Sequence, residues 1–139
     1  MTIDGAASEA PGTDLRVMVV DDVEVVLSLL TDLLEAEEGL TVCATATNGT
    51  EAVTVALDAR PDIVLMDLKM PSMDGITATK LIREQWPTAQ IVINSAFGDR
   101  SLSEAALAAG AARFVTKDRR PRELIETLRE VAAQSTGGG

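Results

Sequence analysis

The sequence predicts an α/β protein, a parallel β-sheet with helices on both faces. Three observations carry that prediction. Short apolar, β-branched runs alternate with longer stretches of helical spacing, and the pair repeats five times. The runs lack the clean alternation of a half-exposed strand, which suits strands buried on both faces. Polar and charged residues follow the runs directly, as expected where chemistry collects outside the carboxyl ends of parallel strands. The 139 residues suffice for one domain with one good core.

The expected strands are Val17–Val20, Leu40–Ala44, Ile63–Met66, Ile91–Ile93 and Phe114–Thr116. After the first, Val26, Leu30, Leu33 and Glu37 step by about one turn, and Leu34 joins the first three on an apolar stripe. Ala52, Ala56 and Ala59, helped by Val53 and Leu57, mark the second helix. Ile76, Thr79, Ile82 and Trp86 mark the third, with Pro87 as its stop. Ser101 and Glu104 have capping-box spacing ahead of Ala105–Ala109, and Gly110 is placed as a C-terminal stop. Leu124, Leu128 and Val131 define the last helix, with Pro121 near its first turn. Right-handed crossovers join strands in such a sheet. Residues 1–14 are small and polar and are expected to form a disordered leader, 15–133 the folded domain and 134–139 a flexible tail.

Composition excludes several function classes. The formal charge of −10 argues against direct nucleic-acid binding, which needs a basic surface. One Trp, two Phe and no Tyr leave little aromatic surface for stacking. No His is present, which rules out His-dependent triads and His-ligated zinc. The single Cys43 excludes an internal disulfide and, in its apolar run, reads as a buried structural thiol. No apolar run approaches the roughly 18–20 residues of a membrane span, and the N-terminus lacks signal-peptide regions, so the expected compartment is the cytoplasm.

The residues at the strand ends carry the chemistry. The first strand runs into Asp21-Asp22, the third into Asp67, the fourth into Ser95 and the fifth into Lys117. Taken singly, each has an ordinary reading: a solvated loop pair, a strand-end carboxylate, a strand-end serine, a surface lysine. Together they aim three carboxylates, a hydroxyl and an ammonium at one sheet edge. Clustered carboxylates repel unless a cation neutralises them, and Mg²⁺ favours carboxylates, water and phosphate oxygens. A carboxylate nucleophile, a metal, an ammonium and a hydroxyl each have a task in phosphoryl transfer. After Asp67, Pro71 holds Met70 extended and Asp74-Gly75 signals a turn that starts the next helix.

These residues resemble the receiver domain of two-component response regulators (the CheY-like family). The resemblance covers about Leu15 to Ala133. It rests on Val19-Val20-Asp21-Asp22, Asp67, Met70-Pro71-Ser72-Met73-Asp74-Gly75, Ser95-Ala96-Phe97, Ala109-Gly110-Ala111 and Lys117. Asn48-Gly49-Thr50-Glu51-Ala52 and Lys117-Asp118 are most similar to the NarL/FixJ branch. The resemblance implies a flavodoxin-like, doubly wound five-stranded sheet of order 2-1-3-4-5 with five helices. It implies that Asp67 is the phosphoacceptor. Asp22, Asp67 and the Lys69 backbone carbonyl would bind Mg²⁺ (or Mn²⁺), with Asp21 acting mainly through water. Ser95 and Lys117 would each meet a phosphoryl oxygen, and Phe114 would be the switch aromatic that responds to Ser95. Small Ala96 would leave the acceptor open. The donor would be a phosphohistidine on a sensor histidine kinase, with acetyl phosphate as a small-molecule substitute.

The sequence departs from the family pattern in places. Asn94 stands where an aliphatic residue is usual and needs a hydrogen-bond partner if buried. Lys69 and Phe97 flank the phosphoryl position, and a bulky Phe97 would shield the acyl phosphate from water. Regulators of the NarL/FixJ branch continue into a DNA-binding domain, whereas this sequence ends at Gly139. Two outputs follow: a stand-alone receiver signalling through its fourth helix, fifth strand and fifth helix, alone or as a homodimer, or the receiver portion of a NarL-type transcription regulator. A haloacid-dehalogenase-type hydrolase would need a second Asp two residues after the nucleophile, where Lys69 stands. A pseudo-receiver would lack part of the set that is complete here.

Overall fold

The computed structural model describes residues 14–96 and 98–138. The expected leader therefore falls, apart from Asp14, outside the described residues, as do Phe97 and Gly139. Strands β1 (Leu15–Val20), β2 (Leu40–Ala46), β3 (Ile63–Asp67), β4 (Ile91–Ser95) and β5 (Arg113–Thr116) alternate with five helices. These are α1 (Glu24–Glu35), α2 (Gly49–Ala59), α3 (Gly75–Gln85), α4 (Arg100–Ala108) and α5 (Pro121–Gly138). The strands form one parallel sheet in the order β2-β1-β3-β4-β5, as the resemblance implied.

Each face of the sheet has its own apolar cluster, because successive strand residues point to opposite sides. Met18, Met66, Ile91 and Ile93 pack with Ala52 and Ala56 of α2, Ala78 and Ile82 of α3 and Ala106 of α4. Val17, Val19, Leu65, Val92 and Val115 pack with Leu34 of α1 and Ile125, Leu128 and Val131 of α5. The connection after β1 runs to β2 on one side, and the connection after β3 runs to β4 on the other. Ligand crevices of doubly wound sheets open at such a reversal. Asp21 directly follows β1, and Asp67 closes β3.

Several local expectations are corrected by the fold. The first helix stops at Glu35, so Glu37 leaves the stripe and instead pairs with Arg122, at 2.9 and 3.1 Å, and with Arg129. Gly39, with φ +84°, turns the chain into β2 just beyond. Of the α1 stripe only Leu34 is fully buried, while Val26, Leu30 and Leu33 are only partly covered. The second strand extends to Ala46, and its pairing with β1 skips Cys43. Cys43 is thus the extra residue of a bulge on an edge strand, which leaves its thiol partly exposed rather than buried. Burial still pushes that thiol above its usual range. The capping box is not formed. Asp99 caps α4 by accepting from the Leu102 N–H at 2.8 Å, and Ser101 and Glu104 lie inside the helix. The last helix runs Pro121–Gly138.

Candidate functional site

Asp21, Asp22 and Asp67 come together as the strand ends required. Each offers a carboxylate oxygen within 4.8 Å of the others. Asp21 is 1% exposed and Asp67 7%, while Asp22 faces solvent in part. Lys117 Nζ lies 2.8 Å from Asp21 Oδ2 and 3.2 Å from Asp67 Oδ1, so one ammonium bridges both buried acids. Asp21 Oδ1 accepts the Val23 N–H at 2.9 Å, and Asp67 Oδ1 accepts the Leu68 N–H at 2.8 Å. The partners of Asp67 among the described residues thus converge on Oδ1. Sequence reasoning aimed Lys117 at a phosphoryl group; it did not foresee this pairing with Asp21.

The electrostatics follow from that geometry. Burial raises the Asp67 carboxyl to about 6; Lys117 pulls it down and neighbouring Asp21 pushes it further up. Burial works against the charged Lys117, but its bond to Asp21 and the charges of Asp67 and Asp21 outweigh that and hold it above the usual lysine range. With all three acids ionised, one ammonium leaves two negative charges in the cluster. Hard oxygen donors with that residual charge fit a divalent cation such as Mg²⁺.

The loop after Asp67 is held by close contacts that the sequence signalled only as a turn. The Gly75 N–H donates to the Leu68 carbonyl at 2.7 Å, and Asp74 caps α3 through the Thr77 N–H at 2.8 Å. A Cβ at Gly75 would sit 2.2 Å from the Asp67 carbonyl oxygen, so only glycine lets the helix start this near Asp67. A Cβ at Gly49 would meet the Met73 carbonyl at 2.0 Å, which locks the start of α2 against the same loop. Asn48 caps α2 by accepting the Glu51 N–H. Ser72, at φ +68°, shares a hydroxyl hydrogen bond of 3.0 Å with Thr50. The Asn48–Glu51 segment carried family resemblance, but its packing role was not legible. Lys69 is exposed in this loop, two residues beyond Asp67.

Ser95 is fully buried at the end of β4, and its carbonyl accepts the Lys117 N–H at 2.7 Å. The two residues are therefore tied through the backbone. Phe114 pairs in register with Ile93 and is partly buried against the α2–α3–α4 cluster. Asn94, opposite Asp67 in register, is 5% exposed on the other face.

Residues 17–129 match the model of the response regulator receiver domain. The chain is a response regulator receiver domain. The receiver is 39% identical over 117 residues to the chemotaxis protein CheY of Thermotoga maritima, covering 84% of this chain and 97% of that protein. It is 36% identical to the transcriptional regulatory protein LnrK of Bacillus subtilis over 84% of this chain but only 53% of LnrK. Among solved structures, the complex of CheX, CheY, BeF3 and Mg²⁺ from Borrelia burgdorferi matches the receiver with a TM-score of 0.82 and 31% identity. That match covers 88% of this chain and 92% of the solved one. Receiver domains of this family are modules of two-component signalling. No helix among the described residues is long and apolar enough to cross a membrane.

Proposed function

We propose that Asp67 accepts a phosphoryl group from a phosphohistidine of a sensor histidine kinase, and that the resulting acyl phosphate switches the receiver's interaction surface. One observation carries this reading: the Lys117 ammonium bridges Asp21 and Asp67 at 2.8 and 3.2 Å beside Asp22. A carboxylate oxygen of Asp67 attacks phosphorus, the donor's N–P bond breaks, and the released imidazole nitrogen takes up a proton. Oδ2 is the attacking oxygen, because Leu68 and Lys117 both engage Oδ1. The Lys117 ammonium then meets a phosphoryl oxygen, and the Ser95 hydroxyl donates to another. Asp22, Asp67 and the Lys69 carbonyl would hold Mg²⁺ (or Mn²⁺), with Asp21 contributing through water. The cation, when bound, neutralises charge on the phosphoryl oxygens.

Binding differences between the two states drive the switch. Lys117 and Ser95 gain partners that bare Asp67 does not provide, and their shared backbone bond joins β4 to β5. Phe114, on the neighbouring register position, responds by a rotamer change. The chain is then a signalling module that labels itself and loses the label slowly by hydrolysis, not a turnover enzyme, and it works in the cytoplasm. Its output is protein–protein contact through α4, β5 and α5, alone or as a homodimer. The match to 53% of LnrK favours a second output, in which this receiver controls an attached DNA-binding domain. The downstream reading frame separates the two.

Intact mass after treatment with acetyl phosphate and Mg²⁺ tests the acceptor. One phosphoryl group should add to the wild type and none to Asp67→Asn. Stoichiometric labelling of the variant would remove Asp67 from its role.

A further inference from the structure

On the face of the sheet away from Phe114, α1 and the start of α5 do not close over β4 and β5. A cavity of about 240 Å³ opens there, walled by Val26, Leu30 and Leu124, with Asn94 and Arg119 also lining it. Asn94 shares its strand face with Val92, which packs in the α1–α5 cluster, so its carboxamide stands on the cavity side. It is 95% buried, the complement of its 5% exposure, and among the described residues its side chain has no hydrogen-bond partner. A buried carboxamide brings two donors and an acceptor into an apolar setting and is costly to leave unmade. An aliphatic residue would fill this floor at no such cost. Arg119, unlike Lys117, enters no ion pair among the described residues.

We propose that this cavity is a second binding site, for a small molecule with a compact aromatic or branched aliphatic body and one carboxamide or carboxylate group. The apolar walls take the body, and Asn94 meets the polar group. Arg119 favours the carboxylate form where the two compete. The volume falls just below the usual range of ligand pockets, roughly 300–1,000 Å³, which restricts the occupant to a small one. Leu29, though exposed, lines the cavity while exposed Val25 lies outside it, and a partner helix resting on these two would not reach buried Asn94.

The site has a regulatory consequence, which rests on the phosphoacceptor reading. Asn94 directly precedes Ser95, and Lys117 borders the same cavity. An occupant that favours one arrangement of these residues changes the labelling of Asp67. By linkage, phosphorylation changes the occupant's affinity by the same factor.

Benzamide, benzoate and toluene, titrated into the metal-free, unphosphorylated full chain with labelled amides and methyls, test the site by two-dimensional NMR. Benzamide or benzoate should give saturable shifts at the Val26, Leu30 and Leu124 methyls and the Asn94 side-chain amide. Asn94→Leu should weaken that binding by about tenfold or more, because the polar contact is lost. Its own spectrum reports whether it is folded, and Leu30→Trp, which fills the cavity, should abolish binding independently. Toluene binding as tightly as benzamide, or binding unchanged in Asn94→Leu, would reveal a plain apolar crevice and overturn the proposal. So would shifts confined to Val23 and Val25, or no saturable shift with any probe. Asp67→Asn should still bind the probes saturably, because none of its atoms lines the cavity, so this result stands apart from the fate of the phosphoacceptor reading.

Discussion

Burial sets the behaviour of Asp67 before any phosphoryl group arrives. Its carboxyl, ordinarily near 3.8, is raised to about 6 by loss of water, with Lys117 and Asp21 acting in opposite directions. A folded-state pKa above the unfolded one means that protonation favours the fold. That contribution is complete below about 4 and is lost as pH rises through about 6. In metal-free protein at pH 7.5 the ionised group therefore costs on the order of 1–3 kcal/mol. Asp67→Asn carries no such charge and should be more stable than the wild type by that amount at pH 7.5, with the difference gone near pH 4. Urea melts in chelator at the two pH values measure it; equal gaps at both would show that Asp67 is not destabilised by burial. Residue by residue, the site was partly legible. Asp21, Asp22, Asp67, Ser95 and Lys117 could be read from strand ends because a parallel sheet brings those ends together. The pairing of Lys117 with Asp21 could not, since it depends on side-chain reach across β1, β3 and β5.

Helix starts are the elements on which the sequence was most misleading. Ser101 and Glu104 have the right spacing for a cap, yet Asp99, two residues earlier, accepts the Leu102 N–H at 2.8 Å and takes the position. Two acceptable capping residues close together cannot be ranked by spacing, because the approach of the preceding loop decides between them. Asp99→Ala should cost about 1 kcal/mol, as loss of an N-cap does. Ser101→Ala should stay within about 0.5 kcal/mol, as exposed substitutions do. Thermal melts of the pair check the assignment, and the reverse order would restore the capping box. The α1 stripe was read correctly as apolar, but apolar spacing does not say whether a neighbour covers it. Here Val26, Leu30 and Leu33 line an opening shared with Pro121 and Leu124 of α5.

For the molecule as a whole, alternation of runs was enough to recover five parallel strands and the placement of helices on both faces. The strand order came from family resemblance, because periodicity cannot choose which strands are neighbours. The Lys117 bridge is a cross-sheet tie as well as a charge device. Removing it leaves two buried carboxylates facing each other. Lys117→Met should therefore lower stability by about 3–5 kcal/mol at neutral pH without metal, the range for breaking a buried pair. Adding Mg²⁺ should return part of it, since a ligand that binds only the folded state stabilises it by mass action. Melting temperatures with and without Mg²⁺ report both effects. A variant as stable as the wild type in chelator would show that the bridge holds nothing together.

The same bridge joins residues 96 positions apart in the chain. During synthesis the acidic residues of β1 and β3 emerge long before the ammonium that neutralises them. A nascent chain still lacking β5 carries the carboxylates but neither the Lys117 charge nor its backbone bond to Ser95. On the proposed mechanism, the full set of groups around Asp67 is thus assembled only when the last strand docks, after the other four strands have been made.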